Sequence, residues 1–283
     1  MPELPEAETI ARQLHAGLAG RVFGRVRLKR KDIVFGDPRP LGRLLTGRRV
    51  DRVHRRAKRV VVDLTPSAQL VFCLGMTGRL TLCDAEVPVE RHTHLRIAID
   101  GSARELRFRD PRRFGGIWCE TDSGGSRGRK LSPLGPEPLQ LTAAQFRRML
   151  ARPRQIKAAL MDQGFIAGLG NIYCDEALHA ARIHPLTRAD SLDVRTADGL
   201  LRAIKGVLRR AIRHGGSTLM DYRTAEGAPG YFQIHHRVYQ RAGEPCRSCR
   251  TPIERIQAAG RSTFICSSCQ SRHAAEPAVC PSN

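Results

Sequence analysis

The sequence lacks the features that would place it in a membrane or outside the cell. It contains no apolar run of about 18 residues and no amphipathic helix with a bulky apolar face. Its first residues carry glutamates where a secretory signal would have a cationic stretch and then an apolar segment. Internal repeats and low-complexity tracts are also absent. We therefore expect a cytoplasmic globular protein with no membrane partner.

Acidic residues are few compared with basic ones. Lysine and arginine number 48 against 27 aspartates and glutamates, which gives a formal net charge of +21. The basic residues are scattered over the whole length instead of being collected in one tail. This distribution indicates a folded electropositive surface and not a disordered basic arm. Nucleic acid is the partner that such a surface favours.

Two regions of different periodicity divide the chain, which at 283 residues is long enough for two lobes. Apolar residues at helical spacing predict a helix from Glu6 to Leu18. From Val22 to Glu120, short β-rich runs at 25–28, 58–64, 69–74, 95–99 and 105–109 predict the strands of a sandwich. After a Gly-, Ser- and Pro-rich stretch at 121–138, helical periodicity appears at 142–150, 154–163, 171–183 and 197–215. We expect an α+β protein whose domain boundary lies in that stretch.

The nine cysteines include two C-x-x-C pairs separated by sixteen residues. The four are Cys246, Cys249, Cys266 and Cys269. Because Zn²⁺ prefers four tetrahedral ligands, this spacing predicts one zinc ion, and the absence of an open ligand position makes it structural. The sequence between the pairs alternates well enough to form a hairpin around Gly260. The remaining cysteines are expected to be ordinary thiols, with Cys280 as a spare ligand at most.

Ten motifs follow one another in order along the chain. They are MPELPE at the start, RRAK at 55, LGMTG at 74, HTH at 92, DPRRFG at 110, LGPEPL at 134, GLGNIY at 168, GGST at 215, PGYFQ at 229 and the four cysteines. With them the chain resembles formamidopyrimidine-DNA glycosylase from Met1 to about Gln270. The resemblance implies a catalytic β-sandwich domain at 1–134, a helix-two-turn-helix domain with a lesion-capping loop at 135–235, a zinc-finger hairpin at 236–270 and a tail at 271–283. It is also compatible with a monomer that encloses one DNA duplex.

The same resemblance implies a bifunctional DNA glycosylase and AP lyase that removes 8-oxoguanine and formamidopyrimidines in base excision repair. Pro2 would be the nucleophile, because removal of Met1 exposes a secondary amine, and α-amino groups titrate near about 7.7–8.0. Attack on C1′ would give an imine and then β- and δ-elimination. Glu3 is implied as the acid/base, Lys58 as a donor that assists base loss, and Arg261 as the phosphate-binding group of the δ-elimination.

Binding residues are implied in the same way, because the damaged nucleotide must be rotated out of the duplex. The gap left in the duplex would be filled by Met76, Arg112 and Phe114. The phosphates would be contacted by His92, Arg112, Arg152, Lys157 and Asn171. Glycines in GLGNIY would let turn amides and a helix N-terminus approach a phosphate. The polar segment 218–233 is expected to close over the extruded base.

Two alternatives remain open at this point. An endonuclease VIII-like enzyme acts on oxidised pyrimidines, but its opening has glycine at the position of Leu4. A zinc-ribbon regulator or an inactive damage sensor would need the basic surface and the metal, but no free Pro2. Arg59 and Cys174 depart from the residues usual in the family, and neither bears on the implied mechanism.

Overall fold

The computed structural model describes residues 2–121, 133–218 and 222–271. Its N-terminal part begins with helix α1 (Leu4–Leu18) and continues with strands and one short helix. These are β1 (Phe23–Leu28), α2 (Leu41–Leu45), β2 (Arg49–Arg56), β3 (Arg59–Thr65), β4 (Ala68–Cys73), β5 (Arg79–Asp84), β6 (Thr93–Ile99), β7 (Arg104–Arg109) and β8 (Gly116–Thr121).

The strands form two four-stranded antiparallel sheets, which confirms the predicted sandwich. The strand orders are β1-β6-β7-β5 and β2-β3-β4-β8. Alternate side chains of each sheet point into a shared core, where Val60 and Val62 of β3 and Ile97 of β6 are fully buried. Helix α1 adds its apolar stripe to the same core, including Ile10 and Leu14. Burial of these apolar groups is the main force that holds the lobe together.

The predicted boundaries and strands need correction in two places. Helix α1 begins at Leu4 and not at Glu6, because Glu3 and Glu6 form a capping box around the first turn. Strands β2, β5 and β8 were not predicted. In β2 the sequence RVDRVHRR buries only two of its eight residues, so period-2 hydrophobicity is too weak to mark the strand.

The C-terminal part is helical, as predicted. It contains α3 (Ala143–Leu150), α4 (Ile156–Met161), α5 (Asn171–Ala181), α6 (Val194–Arg213) and two 3₁₀ turns at Ala189–Ser191 and Phe232–His235. The apolar face of α6 packs against α5 and α3. Leu4 of α1 belongs to this helical core, while the rest of α1 packs in the sandwich. The N-terminal helix therefore joins the two lobes.

The predicted hairpin consists of β9 (Glu254–Ala258) and β10 (Arg261–Ile265). Ala259 and Gly260 form the connection, both with positive φ (52° and 66°), as in the turns that match the twist of a two-stranded hairpin. The domain limits after residues 134 and 235 stay predictions. The tail with Cys280 lies outside the described residues.

Candidate active site and nucleic-acid interface

The carboxylate of Glu3 lies at the N-terminus of helix α5. It accepts hydrogen bonds from the amides of Gly170 at 2.7 Å, Ile172 at 3.0 Å and Tyr173 at 3.4 Å. Unpaired amides and the helix dipole favour an anion at this position. The phosphate expected near these amides stays a prediction. In the described conformation the amides donate to the carboxylate of Glu3.

Lys58 meets Glu3 beside Gly170. A Cβ atom added to Gly170 would lie 2.4 Å from the Glu3 carboxyl group and 2.7 Å from Nζ of Lys58. Lys58 follows β2 in the turn to β3, and burial lowers its pKa, an effect that the charges of Glu3 and Glu6 partly offset. Pro2 is buried next to Glu3 in the chain. The structure therefore brings together three of the four residues predicted to be catalytic.

Sequence reasoning missed the importance of Glu6. Its fully buried carboxylate accepts the amide of Glu3 at 2.7 Å, the amide of Ser217 at 2.7 Å and the hydroxyl of Tyr173. Burial and the neighbouring charge of Glu3 raise the pKa of Glu6, while these hydrogen bonds act in the opposite direction. The capping-box spacing from Glu3 to Glu6 was the signal that could have marked it.

Two exposed apolar side chains project from neighbouring loops of the sandwich. Met76 is 45% exposed and Phe114 is 56% exposed. The guanidinium carbon of Arg112 lies 4.4 Å from the centre of the Phe114 ring, which is a cation–π contact. The structure thus places the three predicted gap-filling residues in adjacent loops, with two of them in direct contact.

Backbone packing and a buried carboxylate fix the loops that carry these residues. Gly75 has φ +60°, and a Cβ atom there would lie 2.4 Å from the backbone nitrogen of Gly115. Buried Asp110 accepts the Gly115 amide at 2.8 Å and also the hydroxyl of Thr77. Because backbone packs directly on backbone, the exposed side chains are presented by rigid loops.

The predicted phosphate contacts fall into two groups. His92, Arg152 and Arg261 are exposed, and Asn171 is half-buried with its Nδ2 donating to the Ser262 carbonyl at 2.8 Å. Lys157 is different, because its ammonium is completely buried.

The phosphate contact of Lys157 stays a prediction, and in the described conformation its ammonium has protein partners. Its Nζ donates to Asp175 at 2.7 Å and to the hydroxyl of Thr263 at 2.6 Å. A buried cation requires such partners, because the transfer of an unpaired charge from water into the protein interior is strongly unfavourable. Asp175 also accepts the amide of Phe264 at 3.0 Å. Lys157 and Asp175 therefore attach the hairpin to α4 and α5.

The four predicted zinc ligands converge at one point. All four sulfurs lie within 4.8 Å of one another. Tetrahedral Zn²⁺ with sulfur at about 2.3 Å would hold them roughly 3.8 Å apart. The Cys246–Cys269 and Cys249–Cys266 separations are 3.9 and 3.3 Å, so the donor set fits one structural zinc ion. His179 of α5, which sequence reasoning missed, has Nε2 3.6 Å from Sγ of Cys246.

A sandwich with an N-terminal carboxylate–lysine pair, exposed wedge residues and a four-cysteine hairpin defines a zinc-containing DNA glycosylase. Among the described residues, no helix combines the length and the apolar character of a membrane span. Three family models match the chain: the formamidopyrimidine-DNA glycosylase N-terminal domain at 1–117, its H2TH domain at 134–223 and the zinc finger found in FPG and IleRS at 243–272. The chain belongs to the formamidopyrimidine-DNA glycosylase family.

Individual relatives agree with this assignment. The formamidopyrimidine-DNA glycosylase of Herpetosiphon aurantiacus is 46% identical over 95% of this chain and 100% of its own length. The crystal structure of the Thermus thermophilus protein is 39% identical, with a TM-score of 0.82 over 95% of this chain and 98% of its own. Lactococcus lactis Fpg bound to abasic-site DNA is 31% identical, with a TM-score of 0.85 over 95% and 100%. These matches favour this family over an endonuclease VIII-like enzyme.

Proposed function

We propose that this protein excises oxidised purines, namely 8-oxoguanine and formamidopyrimidines, from duplex DNA and then cleaves the resulting abasic site. The proposal depends on one observation. The side chains of Glu3, which follows Pro2 in the chain, and of Lys58 lie close together beside Gly170. Related structures support the substrate class, since a mutant Lactococcus lactis Fpg was solved with DNA containing Fapy-dG and the same species' Fpg with abasic-site DNA.

The first step is nucleophilic displacement at the sugar. The unprotonated amine of Pro2 forms a bond to C1′, and the glycosidic bond breaks with its electron pair leaving on the base. Lys58 supplies a proton donor, and its lowered pKa brings it nearer to the working pH, where general acid catalysis is most effective. Glu3 handles the proton that the amine loses. The ring bond between C1′ and O4′ then breaks, O4′ takes the proton that Glu3 holds, and the product is an iminium that links Pro2 to the opened sugar.

The second stage is strand cleavage. The iminium acidifies the C2′ hydrogen, and removal of that proton expels the 3′ phosphate. A second elimination releases the 5′ phosphate. Arg261 binds the phosphate that leaves, and its exposure at the start of β10 supports this role. Arginine suits this role because its guanidinium matches phosphate oxygens in a fixed geometry.

DNA binding uses residues of both lobes. Met76, Arg112 and Phe114 fill the gap left by the extruded nucleotide, which offsets the few kcal/mol lost on unstacking. The backbone is held by His92, Arg112, Arg152 and Asn171. Lys157 acts indirectly by fixing the hairpin that carries Arg261.

The base-capping role belongs to the segment 218–233. Residues 219–221 of it lie outside the described part of the chain. On one side of these residues, the hydroxyl of Thr218 accepts a hydrogen bond from the amide of Gly230 at 2.8 Å. On the other side, Tyr222 packs in the sandwich core, and its hydroxyl donates to the Gly215 carbonyl at 3.0 Å. These contacts hold both ends of the segment close to Glu6. We further propose the domain limits at residues 134 and 235, a monomeric state and a cytoplasmic location.

Borohydride trapping tests the nucleophile. The purified protein is mixed with a duplex that carries 8-oxoguanine, and reduction should give a covalent complex with the mass increment on a peptide beginning at Pro2. The matched control is the same chain with its terminal amine acetylated, which should give no complex. A regulator or an inactive damage sensor would bind the duplex without being trapped, and this result would refute the proposed function.

A further inference from the structure

Four buried polar side chains form a continuous chain of contacts behind the candidate active site. Tyr173 donates its hydroxyl to Glu6, its oxygen lies 3.2 Å from Oγ of Ser217, and that oxygen lies 3.0 Å from Nε2 of His236. Each of the four residues is at most 4% exposed. Glu6 lies in α1, Tyr173 lies in α5, and Ser217 and His236 lie on the two sides of the 218–233 segment, so only the tertiary structure aligns them.

At its Glu6 end, this series of hydrogen-bonded side chains reaches the peptide bond between Pro2 and Glu3. The amide that joins Pro2 to Glu3 donates to the second carboxylate oxygen of Glu6 at 2.7 Å. Glu6 is therefore one hydrogen bond away from the residue on which positive charge would develop. A carboxylate at that position stabilises a cation on Pro2 far better than a neutral carboxylic acid does, because the surroundings are buried.

Counting hydrogens shows that the chain has two fully satisfied arrangements. Tyr173 and Ser217 each contribute one hydroxyl hydrogen. If Glu6 is a carboxylate, Nε2 of His236 donates to Ser217, Ser217 donates to Tyr173, and Tyr173 donates to Glu6. If Glu6 is protonated, every donor reverses and Nε2 accepts. The two arrangements differ by one proton shifted along the whole chain.

Glu6 and His236, the two ends of this series of contacts, have different charged neighbours. Glu6 faces Glu3, Lys58 and Tyr222, besides Tyr173 and Ser217. His236 faces Glu176, Arg241 and Arg247, bonds to the backbone of Tyr239, and packs against the rings of Phe232 and Tyr239. Burial raises the pKa of Glu6 and lowers that of His236, and both shifts favour the arrangement in which Glu6 carries the proton and His236 is neutral. Glu176 favours a proton on His236, which makes the charged form accessible.

We propose that His236 accepts a proton from Glu6, through Tyr173 and Ser217, when the iminium forms on Pro2. The Glu6 O–H bond breaks, its proton passes to Tyr173, the Tyr173 proton passes to Ser217, and the Ser217 proton bonds to Nε2 of His236. Glu6 becomes the counter-ion of the iminium, and His236 becomes an imidazolium. No proton is exchanged with solvent. The inference rests on the proposed function, because the iminium is the charge that drives the transfer.

The test is the pH dependence of single-turnover borohydride trapping on an 8-oxoguanine duplex. His236→Leu removes the acceptor, so Glu6 must lose its proton directly to water from a buried site. His236→Gln can pair with Ser217 through either its amide nitrogen or its amide oxygen, so it permits both arrangements but cannot take up a proton. In both variants the acid limb of the rate should move up by about 0.5–1 pH unit, which is roughly a three- to tenfold lower rate at pH 6. His235→Leu, at an exposed neighbour, should match the wild type.

Tyr173→Phe cuts the chain in the middle and should move the acid limb in the same direction. In the Tyr173→Phe/His236→Leu double variant the shift should be no larger than in Tyr173→Phe alone, because the acceptor is already disconnected. Additive shifts, or a His236→Gln profile equal to the wild type, would overturn the relay. A uniform rate loss at all pH values with a lower Tm would show a purely structural role and would also refute it. Absence of trapping in the wild type would instead refute the proposed function.

Discussion

The amide of Gly170 donates a 2.7 Å hydrogen bond to the carboxylate of Glu3, although 167 positions separate the two residues in the chain. Through this bond the N-terminal segment is fixed to the start of helix α5. The same glycine leaves room for Lys58 to approach Glu3. The candidate catalytic groups are therefore positioned by a helix of the other lobe.

We expect Gly170→Ala to disable catalysis without unfolding the protein. The added Cβ would overlap Glu3 and Lys58, and displacement of catalytic groups by about 1 Å can lower a rate about 100-fold. Single-turnover base excision is the measurement. Gly206→Ala is the matched control, since no atom lies within 4 Å of a Cβ there and alanine should stabilise α6 by roughly 0.5–1 kcal/mol. Equal activity in the two variants would contradict the crowded site.

We expect Phe114→Ala to impair base excision more than cleavage at a preformed abasic site. Extrusion of a stacked base requires a wedge, whereas an abasic nucleotide is already unstacked. Excision of 8-oxoguanine should fall about tenfold, equivalent to ~1.4 kcal/mol. Val89→Ala removes another exposed apolar side chain, 45% exposed, and should have no effect. Equal losses on both substrates would argue against a wedge.

The alkaline limb of the activity should report Lys58. A lysine donor works below its pKa, and burial lowers the pKa of Lys58 below its ordinary value. Activity should therefore decline with rising pH before an ordinary lysine would lose its proton. Lys58→Arg should be slower but without this limb, because arginine stays protonated throughout that range. Circular dichroism across the same pH range controls for unfolding, and an unchanged limb in the variant would assign the titration to another group.

Removal of zinc should weaken DNA binding while leaving the two lobes folded. The hairpin core contains few apolar residues, so the metal supplies much of its folding free energy. A chelator should release one zinc per chain and raise the Kd for an abasic-site duplex at least tenfold. Restored zinc should restore binding. The Tm of the main unfolding transition is the control, and unchanged affinity in zinc-free protein would contradict a role of the hairpin in binding.

The sequence predicted much of the fold because its periodic patterns are local. The apolar stripe of α6 lies within one helix, and each C-x-x-C pair lies within four consecutive residues. Both patterns can therefore be recognised without knowledge of tertiary contacts. Strand β2 was missed because its residues are mostly charged. Arg59, noted as a departure from the family, lies 5.4 Å from the ring of Trp118, and this contact from β3 to β8 across the intervening strand β4 is one that no local pattern reveals.

The sequence by itself determined the α+β class, the zinc ligands and the family, because short motifs and spacings encode them directly. Only the tertiary structure decided that Lys157 is an internal ion pair, that the α5 N-terminus holds Glu3, and that Glu6 and His236 are joined through buried hydroxyl groups. The physical reason is that burial and hydrogen bonding arise between segments distant in the chain. A residue's type states what it can bond, and packing selects the partner.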